Sequence, residues 1–311
     1  MTEYRDRYEQ IYGELTRADL QKGSQGLDEL SLGPDLFGHD PDRWLGFYTL
    51  EGLQIALEEY GLIDDLKHLG VRDTEITIRT SDPDEQLFRL HCKDPPVEAP
   101  LVELLVRRDF LRPHSPLADR IDASPLPVLT VTWLMLQNPC APFTARRPPL
   151  PGQQHPGLGV GAQVLEMLRN ICHRLDLAAI VTVPSYFHNA LFYSEEFFHF
   201  DPFLQGSFSA LCRDLIPKLK NDVTAVSWAV HWKLVKNRAE DDAPFRWFHD
   251  LMVSPVSEDL VDYFTDRAYR RDVQRALTRH SFDVDRDALD EKLRRCGLRP
   301  FDPEKIATWL D

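Results

Sequence analysis

Apolar residues recur at helical spacing in "TLEGLQIALEEYGLIDDL" (49–66), where Leu53, Ile55, Ala56, Tyr60, Leu62, Ile63 and Leu66 mark the repeat. Gly61 interrupts the run and predicts two short helices. Before it, residues 2–20 read as a polar helix and residues 21–42 as a loop punctuated by Gly23, Gly26, Gly33, Pro34 and Gly38. After it the period changes. "EITIRT" (75–80), "LFRLHCK" (87–93), "LVELLVRRDFL" (101–111) and "LPVLTVTWLMLQ" (126–137) are rich in β-branched and large apolar residues and are separated by turn residues such as "SDPDE". They predict a meander of antiparallel strands.

A proline-rich segment, "NPCAPFTARRPPLPGQQHP", breaks regular structure. Gly157, Gly159 and Gly161 then lead into a helix whose stripe is Val164, Leu165, Leu168, Ile171, Cys172 and Leu175. "LAAIVTV" (177–183) reads as a buried strand. "SYFHNALFYSEEF" (185–197) reads as a helix capped by Ser185. Residues 206–221 lean helical as far as Pro217, and "TAVSWAVHWKLV" (224–235) alternates like a strand. Residues 257–279 and 285–296 read as helices, the second closed by Gly297, and a last helix starts at Asp302-Pro303.

Composition narrows the class. The chain has 311 residues, 43% hydrophobic and 28% charged, with a formal net charge of −14. That acidity disfavours nucleic acid, whose phosphates need clustered Lys and Arg, and suits a cationic or amine partner. No apolar run reaches the ~18 residues of a membrane span, and the polar start "MTEYRDRYEQIYGEL" does not resemble a signal peptide. The five cysteines (Cys92, Cys140, Cys172, Cys212, Cys296) form no CxxC pair, which points to free thiols in a reducing cytoplasm. No HExxH or similar spacing marks a metal among the histidines. Arg267, Arg271, Arg275 and Arg279 make a basic helix stripe, with Asp266 and Asp272 beside it.

Why does the chain place a glycine at every second position before a helix? Bare backbone N–H groups at a helix start form an anion cradle. A dinucleotide fingerprint fits Gly157, Gly159 and Ala162, but "WLMLQ" ends well before the glycines and the next strand leads into Pro184-Ser185, where an acidic residue is needed. No P-loop lysine follows.

"PGLGVGAQVL" (156–165) instead resembles the signature Q/R-x-x-G-x-G/A of the GNAT acyltransferase superfamily, with Pro156 standing where Gln or Arg is usual. "PSYFHNALFYSEEFFHF" (184–200) resembles the family's later N-x-x-A-x-x-F-Y segment, with Phe197 in place of its glycine. The resemblance covers residues 71–211 and implies an α/β fold. Its GNAT-like mixed, mostly antiparallel central sheet would have flanking helices. A helical N-terminal extension (1–70) and a mixed, mainly helical C-terminal extension (212–311) complete the expected organisation.

The resemblance also implies chemistry. The amides of Gly157, Leu158, Gly159, Val160, Gly161 and Ala162 would wrap the pyrophosphate of acetyl-CoA. Leu134, Met135 and Leu136 would pair with pantetheine and offer an oxyanion donor, and Asn189 would bond the pantetheine arm. Tyr193 would protonate the departing thiolate. Glu103, a carboxylate in an apolar run, is the candidate base, because burial raises a carboxylate's pKa. The expected protein is a cytoplasmic N-acyltransferase that uses acetyl-CoA or another acyl-CoA and needs no metal. It would act on an amine, a small molecule or a peptide, with no nucleic acid and no membrane as partner. The alternative is a non-catalytic acyl-CoA-binding or interaction module on the same fold.

Overall fold

The computed structural model describes residues 2–23, 42–112 and 125–310. Most of the glycine-punctuated loop expected at 21–42 therefore lies outside the described residues. The chain divides into two units. The first holds the described residues up to 140 together with 157–180, and the second holds 141–156 and 181–310.

In the first unit, helices α1 (Thr2–Glu14), α2 (Arg17–Leu20), α3 (Leu50–Glu59) and α4 (Leu62–His68) precede strands β1 (Asp73–Asp82), β2 (Glu85–Asp94), β3 (Val102–Leu111) and β4 (Leu126–Leu136). Helix α5 (Gly161–Arg174) and strand β5 (Ala179–Thr182) follow. The four long strands form the antiparallel meander that their patterning predicts, in the order β1-β2-β3-β4-β5. This is a mixed α/β architecture on a mostly antiparallel sheet with flanking helices. Gly61 adopts φ +79 and divides α3 from α4 as expected.

Strand alternation sorts this sheet into two faces. Val102, Leu104 and Val106 sit opposite Leu136, Leu134 and Val131 and form the apolar face. Glu103 and Leu105 sit opposite Met135 and Trp133 on the other face. The register slips between Leu105 and Val106, which pair with Trp133 and Val131. Thr132 is therefore the extra residue of a bulge, a device that twists a strand and disturbs its pairing.

Helix α5 is covered on more than one side, so it buries polar residues as well as its apolar stripe. Val164, Leu165, Leu168 and Cys172 are buried. So are Gln163, Glu166 and Asn170, each with a partner from an N-terminal helix. Gln163 donates to Asp65. Glu166 pairs with Arg5 at 3.2 Å. Asn170 donates to the Tyr60 hydroxyl at 3.1 Å and to the Tyr8 carbonyl at 3.3 Å. The N-terminal helices thus complete the packing of α5.

The second unit contains α6 (Phe187–Tyr193), β6 (Phe198–His199), α7 (Pro202–Lys218), α8 (Val223–His231), β7 (Val235–Asn237), β8 (Ala243–Pro244) and β9 (Met252–Pro255). Helices α9 (Glu258–Thr265) and α10 (Arg267–Arg279), strand β10 (Phe282–Val284), and helices α11 (Arg286–Arg295) and α12 (Pro303–Leu310) complete it. Strand β6 pairs antiparallel with β9, and β10, β7 and β8 form a small sheet.

Three expectations change here. The stretch 224–235 is mostly helix, not strand. Ala225 through Val230 are all buried, and a short run that is apolar on every side has no period that separates helix from strand. The missed signal is Asp222, whose side chain accepts from Ala225 N at 3.0 Å as an N-cap. The helix expected over 257–279 is two, because Asp266 leaves helical geometry to cap α10 through Ala268 N at 2.7 Å. The cap expected from Ser185 does not form. The N-cap is Tyr186, in extended backbone, and it makes no side-chain capping bond.

Candidate functional site

The glycine segment lies against the end of β4. Leu158 N–H donates to the Leu136 carbonyl at 3.3 Å, and Gly157 forms an antiparallel bridge with Gln137. Between them the sequence alternates Gly-Leu-Gly-Val-Gly. The Leu158 and Val160 side chains are buried, at 3% and 4% exposure, and hold the loop down. The intervening glycines leave the main chain bare. Gly159 is exposed at φ +82, and a Cβ built there meets nothing within 4 Å. A side chain is disfavoured at Gly159 by backbone conformation and not by crowding.

The loop runs directly into α5. Val160 occupies the N-cap position, and no side chain caps the helix. The opening N–H groups of a helix lack intrahelical partners. Val160 cannot supply one, so the N–H groups of Gly161, Ala162 and Gln163 are oriented as an anion cradle would need.

The same region borders the edge of β4 away from β3. Gln137 N–H donates to Leu101 O at 2.9 Å, toward β3, while Leu136 O accepts from Leu158 on the opposite side. Backbone alternation therefore directs the N–H groups of Leu134 and Leu136 to the edge away from β3 and that of Met135 toward β3. Strand β5 is anchored at the other end of β4, where Ala178 N–H donates to Pro127 O at 2.7 Å. The sequence grouped Leu134, Met135 and Leu136 together. The geometry separates Met135 from the other two.

Glu103 does not stand alone in its apolar strand. Arg89 Nε reaches its Oε2 at 2.6 Å, and the Glu103 side chain retains 21% exposure. Neighbouring strands supply this pairing, which the patterning within β3 alone does not reveal.

In the second unit, Asn189 and Tyr193 lie four residues apart on α6 and share a face. Both are half-buried. The Tyr193 ring packs on Phe197 with 5.4 Å between centroids. Burial raises the Tyr193 hydroxyl above its ordinary pKa and keeps it protonated as a donor.

Sequence reasoning gave His188 no role, yet it is 3% exposed and its Nδ1 has no partner among the described residues. It stacks on Tyr186 at 5.4 Å. Burial, and secondarily the charge of His231, lower its pKa to about 4, so it is neutral at pH 7. Tyr186 is in turn pressed against Gly152, where a Cβ would fall 2.6 Å from the tyrosine ring and hydroxyl. The arginine stripe lies on α10 as expected. Asp272 pairs with Arg275 at 3.1 Å and with Arg271 at 3.4 Å, the pattern of a solvated charged face.

Among the described residues, no cluster of three or more His, Cys, Asp or Glu is placed to hold a metal ion. No described helix is long and apolar enough to cross a membrane. No protein-family description and no curated protein matches the chain. Among solved structures, a point mutant of the AtaT toxin, bound to the C-terminus of the antitoxin AtaR and acetyl-CoA, aligns with 41% of this chain and 86% of its own. Identity is 12% and the TM-score 0.26. That likeness is too slight to bear on this chain's fold or function.

Proposed function

We propose that the chain is an acyl-CoA-dependent N-acyltransferase of the GNAT type, which moves an acetyl or other acyl group from coenzyme A to an amine. One observation carries the reading. A run with a glycine at every second position enters an uncapped helix directly beside the edge of β4 to which the N–H groups of Leu134 and Leu136 are directed. The diphosphate of coenzyme A is a doubly charged anion matched to the amides of Gly157 and of Gly159 through Ala162; the Leu158 amide, expected to join them, is instead taken by the Leu136 carbonyl. Pantetheine, with its two amides, is matched to a strand edge.

In this reading Leu134 and Leu136 present N–H groups to pantetheine and to the thioester carbonyl. Asn189 bonds the pantetheine arm. The neutral amine attacks the carbonyl carbon, and the negative charge that develops on oxygen is held by a backbone N–H. The C–S bond then breaks, and Tyr193 supplies the proton that the sulfur takes. Glu103, whose Oε2 is held by Arg89 Nε at 2.6 Å and whose side chain keeps some exposure, is the candidate that accepts the amine's proton.

Acetyl-CoA is expected to raise the thermal midpoint, since a ligand that binds only the folded state adds stability. At a hundredfold excess over Kd the gain is about 2.7 kcal/mol. A nicotinamide dinucleotide at the same concentration is expected to leave the midpoint unchanged. A shift with the dinucleotide and none with acetyl-CoA contradicts the assignment.

A further inference from the structure

The central sheet ends at β1, which pairs with β2 and with no other strand among the described residues. An edge strand leaves a row of main-chain N–H and C=O groups open to pairing, and proteins commonly blunt such edges with proline, lysine or a bulge. The regular part of β1 has none of these. The strand is ten residues long, contains no proline and no lysine, and keeps an uninterrupted register with β2 from Thr74 to Arg79.

The sequence of that part is a near-palindrome. In "TEITIRT" (74–80), Thr74 matches Thr80 about Thr77, and Ile76 matches Ile78. The remaining pair, Glu75 and Arg79, is opposite in charge. When two identical strands pair antiparallel about a two-fold axis, residue i faces residue j and j faces i. With the axis at Thr77, Glu75 of each copy faces Arg79 of the other, and Ile76 faces Ile78. Strand alternation puts Glu75, Thr77 and Arg79 on one face, and all three are exposed. Within the chain Glu75 has Lys93 at 3.7 Å and Arg79 has Glu85 at 3.7 Å, and their side chains stay 55% and 58% exposed. Ile76 and Ile78 lie on the other face, buried and half-buried.

We propose that β1 is a self-association edge: two copies of the chain pair β1 antiparallel to β1 about Thr77, and the sheet runs on across the axis. The main-chain groups of the outer edge supply the hydrogen bonds. The four charges make two equivalent cross-strand contacts. Within one chain Glu75 and Arg79 cannot meet, because four strand residues set them about 13 Å apart. Their complementarity is expressed only between copies. Ile78, half-buried in the single chain, gains cover from the partner's Ile76.

The test uses the full chain without coenzyme A, so its outcome is independent of the proposed activity. Sedimentation velocity over a dilution series is expected to show a reversible monomer–dimer equilibrium. Glu75→Arg sets arginine against arginine twice, and Arg79→Glu sets glutamate against glutamate twice. Each alone is expected to weaken the dimer by roughly tenfold or more. Mixing the two variants restores both contacts, so the mixture is expected to form a heterodimer with an affinity near the parent's. The chain carrying both changes is expected to recover the homodimer. Hydrogen exchange on the parent needs no variant: alternate amides along β1 are expected to slow as protein concentration rises. A parent that stays monomeric overturns the proposal, as do single variants that dimerise like the parent or a mixture that stays apart. Exchange in β1 that is independent of concentration overturns it as well.

Discussion

Gly161→Asp is expected to weaken coenzyme A binding by about a hundredfold or more while the thermal midpoint of the free protein stays level or rises. The two effects come from the same place in the fold. Gly161 is the first residue of α5, and a Cβ there meets its nearest neighbour, the Leu136 Cδ1 atom, at 3.9 Å. It is not among the glycines of positive φ, so a side chain is accommodated without strain. A carboxylate at a helix start is favourable by about 0.3–1 kcal/mol. It also restricts the unfolded chain more than glycine does. Against a bound diphosphate the sign reverses. Two like charges about 4 Å apart repel by roughly 4 kcal/mol at an effective dielectric near 20, and each ~1.4 kcal/mol is tenfold in affinity. Titration calorimetry reads the affinity and a thermal melt reads the fold. A variant that binds coenzyme A like the parent places the diphosphate elsewhere.

Tyr193→Phe is expected to lower kcat by roughly a hundredfold or more, the usual contribution of a positioned acid, with coenzyme A affinity unchanged. The ring contact with Phe197 at 5.4 Å survives, because phenylalanine keeps the ring and loses only the hydroxyl. The direction of the pKa shift sets the pH behaviour. Burial raises the hydroxyl's pKa, so the acid form persists as pH rises through neutrality and past the ordinary tyrosine value of about 10. In the parent, loss of the acid form therefore does not cut turnover between pH 7 and 9. The comparison is made by steady-state release of free thiol, once a panel of amines supplies an acceptor. Unchanged turnover in Tyr193→Phe removes the residue from the chemistry. Coenzyme A binding without turnover across a broad amine panel favours the binding-module reading.

The antiparallel meander was legible because strand period and turn chemistry agree locally in β1 to β4. The break at Gly61 was legible for the same reason, since left-handed backbone is a property of that residue itself. The glycine segment was legible as a loop entering a helix. Its anchoring by Leu158 and Val160 becomes clear only once Gly157 and Leu158 are seen against Gln137 and Leu136. What the sequence concealed depends on partners distant in the chain. The patterning of β3 shows Glu103 as a lone carboxylate, and only the neighbouring strand shows Arg89 beside it. Asn170 and Glu166 interrupt the apolar pattern of α5, and Tyr60 and Arg5 explain them. Residues 224–235 were misread because burial on all sides erases the period that distinguishes a helix from a strand. The directions of the Leu134, Met135 and Leu136 amides follow from strand register, which no single strand encodes.

The central claim concerns which main-chain N–H groups meet the cofactor. The most direct measurement is a proton–nitrogen correlation spectrum of protein labelled only at its 15 glycines, recorded as coenzyme A is added. The account predicts that the amide signals of Gly157, Gly159 and Gly161, assigned by single substitutions, move together and saturate, while those of Gly206 and Gly297 stay in place. Saturable movement confined to glycines outside 157–161 would contradict it, as would no movement of any glycine at saturating coenzyme A.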